Sequence, residues 1–186
     1  MPRPLNHDDP EIVLAAERDI RAALGTRDLD FEALMAVSNI YRAATAVRNR
    51  IERDLLNEQG LSWGGFTILF VLWVWGQRET GDLARDCGLA KGTLSGMLNT
   101  LERSGLVARR RHSEDGRKVV VALEEPGAEL IERLFPKFNA KEAEMTAALA
   151  PDETRELARL LRAVTATALD EPLTGEGQPP NMSFGA

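Results

Sequence analysis

The chain has 186 residues, 44% hydrophobic but only 5% aromatic, and a formal net charge of −6. That length suits one compact domain with an extension, and the single cysteine, Cys87, excludes an internal disulfide framework and fits a reducing compartment. The longest apolar stretch, residues 66–75, is too short to cross a bilayer, and the first ten residues hold Pro and Asp rather than the apolar centre of a secretory signal, so a soluble cytoplasmic protein with no membrane partner is expected. The charge is unevenly spread. Residues 83–118 carry 8 basic and 4 acidic groups, whereas 1–82 carry 9 and 13 and 119–186 carry 6 and 12. A basic centre between acidic flanks suits local phosphate binding, which needs a patch and not a basic whole.

Residues 1–30 read as an N-terminal extension. Within it, 8–24 form a short helix, with Asp8 or Asp9 as cap, Pro10 in the first turn, apolar Ile12, Val13, Ala16, Ile20 and Leu24, and Gly25 as stop. A second helix is expected over 31–56, where Leu34, Val37, Tyr41, Ala44, Val47, Ile51 and Leu55 recur at steps of three and four. At about 1.5 Å per residue it would run roughly 39 Å, longer than a small lobe needs, which points to packing on another subunit. Gly60-Leu61-Ser62 interrupts the pattern, Ser62 caps a helix to Trp75, and Gly76 ends it. Short helices over 80–87 and 91–104 flank Gly88-Leu89-Ala90. Strands over 106–111 and 118–123 flank a turn carrying Asp115-Gly116, a hairpin signal. Pro126 reopens helix to about 149, which Pro136 is expected to kink or split. A last helix spans 151–169, and the Gly- and Pro-rich 171–186 read as a disordered tail.

The fold class is mainly α with a small β-hairpin wing: a winged helix-turn-helix (lobe about 61–124) inside a domain over 31–170 whose outer helices dimerise. In the helix-turn-helix, Leu83, Ala84 and Cys87 form the inner side of one helix and Leu94, Met97, Leu98 and Leu101 that of the next. Lys91, Thr93, Ser95 and Asn99 are left outward, small or basic groups that can approach base edges and phosphates. An ordinary helical hairpin with a solvated face would look the same, but Arg109, Arg110, Arg111, Arg117 and Lys118 then cluster on the hairpin that follows. An arginine at a hairpin tip suits the narrow minor groove, where the potential is most negative, and Asp115 can hold the Arg117 guanidinium in a bidentate pair.

From about residue 31 to 168 the sequence resembles the multiple antibiotic resistance regulator (MarR) family. Asp115-Gly116-Arg117, five residues, then Leu123 and Gly127 are similar to the family's D-x-R-x5-L-T-x-x-G signature, with Glu124 in place of Thr, and LERSGLVARR (101–110) is similar to the family's recognition-helix exit and first wing strand. Gly96 stands where many members carry a basic residue. The resemblance implies a homodimer on a pseudopalindromic double-stranded operator, with the recognition helix in the major groove and the wing arginine in the minor groove. It also implies a repressor released by a small aromatic or anionic effector held between the dimer helices and the DNA-binding lobe. Tyr41, Trp63, Phe66 and Phe70 are candidates for that pocket, with Arg42 and Arg48 as anion partners. Trp73 and Trp75 fall in the same aromatic stretch, for which plain core packing is the alternative.

Catalysis is not expected. The two histidines, His7 and His112, lie in a tail and a charged turn, GTLSG (92–96) is not a nucleophile elbow, and one Cys with two distant His supplies no metal site or cofactor. Two rivals stay open. One is a thiol switch through Cys87, which stands at an apolar position where an inert buried thiol is the commoner outcome. The other is a winged-helix module for protein–protein contact.

Overall fold

The computed structural model describes residues 15–111 and 118–169. The expected start of the first helix, the turn holding Asp115 and Arg117, and the C-terminal tail lie outside the described residues.

Two compact units are present, one built from residues 48–141 and the other, among described residues, from 15–47 and 142–169. In the second of these, α1 (Ala15–Leu24) meets the first half of α2 (Phe31–Ile51). Glu17 of α1 accepts a hydrogen bond from Asn39 at 2.7 Å and lies 3.8 Å from Arg42, while Arg21 pairs with Glu32 at 3.2 Å and sits over the Phe31 ring. Neither α1 nor α7 (Pro151–Leu169) contains a buried residue. Val37 and Tyr41 of α2 and Leu157, Leu160, Leu161 and Val164 of α7 are exposed.

The unit over 48–141 is built around α3 (Trp63–Trp75), which is apolar on every side; Phe66, Ile68, Leu69, Val71 and Leu72 are buried. Its first turn is closed twice. Ser62 Oγ accepts from the Gly65 N–H at 3.2 Å, as expected of the cap, and the Glu52 carboxylate accepts from the Trp63 N–H at 2.7 Å. Glu52 belongs to a widened π turn, Glu52–Leu56, that follows α2, so the helix expected to 56 is α-helical only to Ile51. Ile51, Leu55 and Leu56 all reach the core from this stretch.

Helices α4 (Thr80–Asp86) and α5 (Lys91–Arg103) form the helix-turn-helix, and the chain turns away from α5 at Gly105. There φ is 68°, a left-handed value that a glycine tolerates without strain, and the Leu106 N–H donates back to Leu101 O at 3.0 Å. Strands β2 (Val107–Arg111) and β3 (Val119–Leu123) pair antiparallel, Val107 opposite Leu123 and Arg111 opposite Val119. A third strand was not foreseen: β1 (Arg78–Glu79) joins the free edge of β3, giving the order β1-β3-β2. Two residues are too few to show an alternation.

Helix α6 (Glu125–Thr146) packs Leu130, Ile131, Leu134 and Phe138 inward. Of the kink or split expected at Pro136, the split is absent, and the helix runs through it. Pro136 and Glu132, whose carbonyl loses its intrahelical donor, are both exposed, so water can take the missing bond.

Candidate nucleic-acid interface

On α5, Leu94, Leu98 and Leu101 are buried, and Lys91, Thr93, Ser95 and Asn99 are all exposed, as the spacing implies. Gly92 and Gly96 lie on the same outer side with nothing within 4 Å of where a Cβ would stand. The outward surface is therefore low, and the helix backbone itself is accessible. Between the start of α4, α5 and the wing sheet lies a groove of about 370 Å³, floored by Leu94, Leu98 and Val119 and edged by Thr80, Lys91, Ser95 and Arg109.

The basic residues of the wing are not equivalent. Arg109 is half-buried and bound to α5: its Nε and Nη2 reach Glu102 Oε2 at 2.9 and 2.6 Å, and its backbone N–H donates to Glu102 Oε1 at 2.9 Å. Its Nη2 also donates to Asn99 Oδ1. The paired guanidinium holds the Glu102 carboxyl below its ordinary range, and the carboxylate raises Arg109 in return. The sequence therefore assigned to DNA two residues that the structure joins to each other, since strand alternation aims Arg109 at the recognition helix. Arg110, on the other face, pairs with Glu124 at 2.5 Å, and Lys118 with Glu79 at 2.7 Å. Arg111 and Lys91 are exposed and carry no ion pair among the described residues. The partners Glu79, Glu102 and Glu124 were not singled out from the sequence. For Glu102 the seven-residue offset to Arg109 across a Gly turn was the available signal.

Of the six residues proposed for a ligand, Arg48, Trp63, Phe66 and Phe70 belong to the unit over 48–141, and Tyr41 and Arg42 to the other. Phe66 stacks on Phe138 with centroids 4.2 Å apart and Phe70 on Phe135 at 5.2 Å, so these rings are filled by core packing. Phe135 and Phe138 were missed because a break was expected between them, at Pro136. In its own unit Tyr41 is 72% exposed, and Arg42 lies beside Glu17. Trp63 and Arg48 do share a cavity, of about 240 Å³, with Glu52, Thr67, Cys87, Leu89, Thr93 and Met97.

Cys87 is buried, and burial, followed by the neighbouring Asp86 charge, pushes its thiol up to about 12. A thiol so far above neutrality has almost no thiolate. Iodoacetamide at pH 7.5 is expected to leave Cys87 unlabelled in the folded protein and to label it fully in urea. Rapid labelling of the native state would show a reactive thiol. Among the described residues no three His, Cys, Asp or Glu gather as a metal site, and no helix is long and apolar enough to cross a membrane.

Residues 61–119 match the family model described as the MarR family. Over 136 residues the chain is 37% identical to the HTH-type transcriptional regulator YwaE of Bacillus subtilis (strain 168), itself uncharacterized, covering 73% of this chain and 80% of that one. The chain belongs to the MarR family. It is a DNA-binding transcriptional regulator, and such regulators are not enzymes. Among solved MarR structures, AbsC from Streptomyces coelicolor aligns with a TM-score of 0.70 at 24% identity, over 78% of this chain and 99% of that one. NadR in complex with 4-hydroxyphenylacetate aligns with a TM-score of 0.59 at 25% identity, over 68% and 89%. The winged helix-turn-helix read from the element order is thus the fold of the family.

Proposed function

We propose that this MarR-family regulator is a cytoplasmic homodimeric repressor that reads a pseudopalindromic operator and is released by a small aromatic or anionic ligand. The observation that carries the DNA reading is the outer side of α5. Lys91 and Ser95 stand exposed at the edge of a groove that runs to the wing, Thr93 is exposed on the same helix, and the opposite side is locked into the core. In this reading α5 enters the major groove, Arg110, Arg111 and Lys118 approach phosphates, Asn99 reads a base edge, Arg109 holds the wing to α5, and Arg117, oriented by Asp115, enters the minor groove.

The exposed leucines and Val164 of α7, with Val37 and Tyr41 of α2, support a two-fold interface built from these helices. Ligand responsiveness is supported by NadR, which was solved with 4-hydroxyphenylacetate. The burial of Cys87 counts against a thiol switch.

Selection of bound duplexes from a random pool tests the reading directly. The dimer is expected to enrich an inverted repeat with half-sites centred about 10 base pairs apart. Failure to enrich any sequence would favour a protein–protein module. Titration of 4-hydroxyphenylacetate into the selected complex then tests release. A compound that binds and leaves operator affinity unchanged is not an effector, since only differential affinity shifts an equilibrium.

A further inference from the structure

Strand β1 consists of Arg78 and Glu79 alone, between α3 and α4. Successive side chains leave a strand on opposite faces, and these two are tied to different bodies. Arg78 Nε lies 3.3 Å from Oδ2 of Asp86, the last residue of α4, in a pair whose side chains are 24% and 9% exposed. Glu79 immediately precedes α4, yet its side chain makes no capping hydrogen bond there. It reaches instead to Lys118 Nζ, 2.7 Å away, just ahead of β3. The backbone completes the link, with Arg78 opposite Val121 and Glu79 opposite Val120. One dipeptide is thus at once the edge strand of the wing sheet and the lead-in to the helix-turn-helix.

We propose that Arg78 and Asp86 are positioning residues that fix the wing against the helix-turn-helix, and so decide whether wing and α5 can reach DNA together. The inference rests on the reading that both elements contact DNA. Stability does not account for the pair. Burial, with a smaller push from the Asp82 charge, leaves the Asp86 carboxyl above its ordinary range despite the opposing pull of Arg78 and Arg85. A folded state that favours the protonated acid gains nothing net from the ionised one, and buried ion pairs of this kind can often be replaced by apolar residues at no cost in stability. What the pair supplies is a tether: it holds the edge strand to the end of α4 at 3.3 Å, largely out of water and so little screened by salt, whereas apolar side chains at the same two places could slide past each other. The link from Glu79 to Lys118 is wetter, with side chains 35% and 49% exposed, and salt screens it, so the drier pair sets the angle.

The test is the double variant Arg78→Met/Asp86→Leu, on the duplex selected by the wild-type dimer. Its melting temperature is expected to stay within about 2 °C of wild type or rise. Operator affinity should fall about tenfold, because the wing loses its aim while its charges remain. Hydroxyl-radical protection in the minor groove should disappear, and protection from dimethyl sulfate in the major groove should persist. The charge-swapped Arg78→Asp/Asp86→Arg should recover the minor-groove protection. Full protection and affinity in the apolar double variant would overturn the clamp alone. No minor-groove protection with the wild-type protein would overturn the wing reading and the clamp with it. Should the apolar pair melt early, the charge swap decides: folded and protecting supports the clamp, folded and not protecting overturns it.

Discussion

Gly127→Ala is expected to destabilise the fold by about 3 kcal/mol or more, although alanine in a helix normally gains about 1 kcal/mol over glycine. Gly127 is buried in the first turn of α6, and a Cβ there would collide with the backbone carbonyl of Leu106, at the corner between α5 and β2. A side chain could swing away, but a backbone carbonyl cannot. That carbonyl is also held by the Glu124 N–H at 3.0 Å. Relief requires lifting the start of α6 off the corner, which strains this bond and the Arg110–Glu124 pair beside it. For a chain of this size the loss corresponds to a drop in melting temperature of roughly 6–12 °C, measured at one fixed protomer concentration. Gly96→Ala is the control. It lies exposed on α5 with nothing within 4 Å, and is expected to hold the melting temperature or raise it slightly. A Gly127→Ala protein that melts with the wild type would show that the corner opens at no cost.

The same corner shows what the sequence could and could not disclose. Gly127 was legible as part of a family signature, but its physical reason, a carbonyl pressed against its Cα, needed three dimensions. The helix-turn-helix was legible because Leu83, Ala84, Leu94, Leu98 and Leu101 repeat at helical spacing and all are buried. The hairpin was legible from its turn and flanking residues. Strand β1 was not, because Arg78-Glu79 has no period and owes its conformation to the edge of β3. At Pro136 the helix continues without a split because the carbonyl that loses its donor, on Glu132, faces water and can bond there, which the sequence alone does not disclose. The basic cluster was legible as a cluster. Its division into Arg109, bound to Glu102, and Arg111, exposed and without an ion pair among the described residues, depends on where the exit of α5 places Glu102 along β2. The aromatic run over 63–75 left pocket and core packing both open, because the stacking partners of Phe66 and Phe70, Phe138 and Phe135, lie some 65 or more residues later.

That division of the arginines governs the salt dependence expected of operator binding. If each protomer offers about four phosphate contacts, a dimer releases counterions from about eight, and log K should fall against log salt with a slope near −7. Between 50 and 200 mM salt this amounts to about 10⁴ in affinity. Lys91 and Arg111 stand free of ion pairs among the described residues, so each reaches a phosphate without losing a partner. Lys91→Ala and Arg111→Ala should each flatten the slope by about 2, since a dimer loses two contacts. Arg110 starts from a different place. It is held by Glu124 at 2.5 Å, and a phosphate must displace that carboxylate before any gain appears. Arg110→Ala should therefore flatten the slope less than Lys91→Ala. Glu124→Gln should act in the opposite sense, because it removes a negative charge from the interface and frees Arg110, leaving operator and non-operator DNA both bound more tightly. Electrophoretic shifts across a salt series, with melting curves confirming that each variant is folded, give these slopes. Equal slopes for all four proteins and the wild type would mean that DNA, if bound, is held by another surface. A weaker Glu124→Gln complex would mean that the carboxylate orients Arg110 toward the phosphate instead of withholding it.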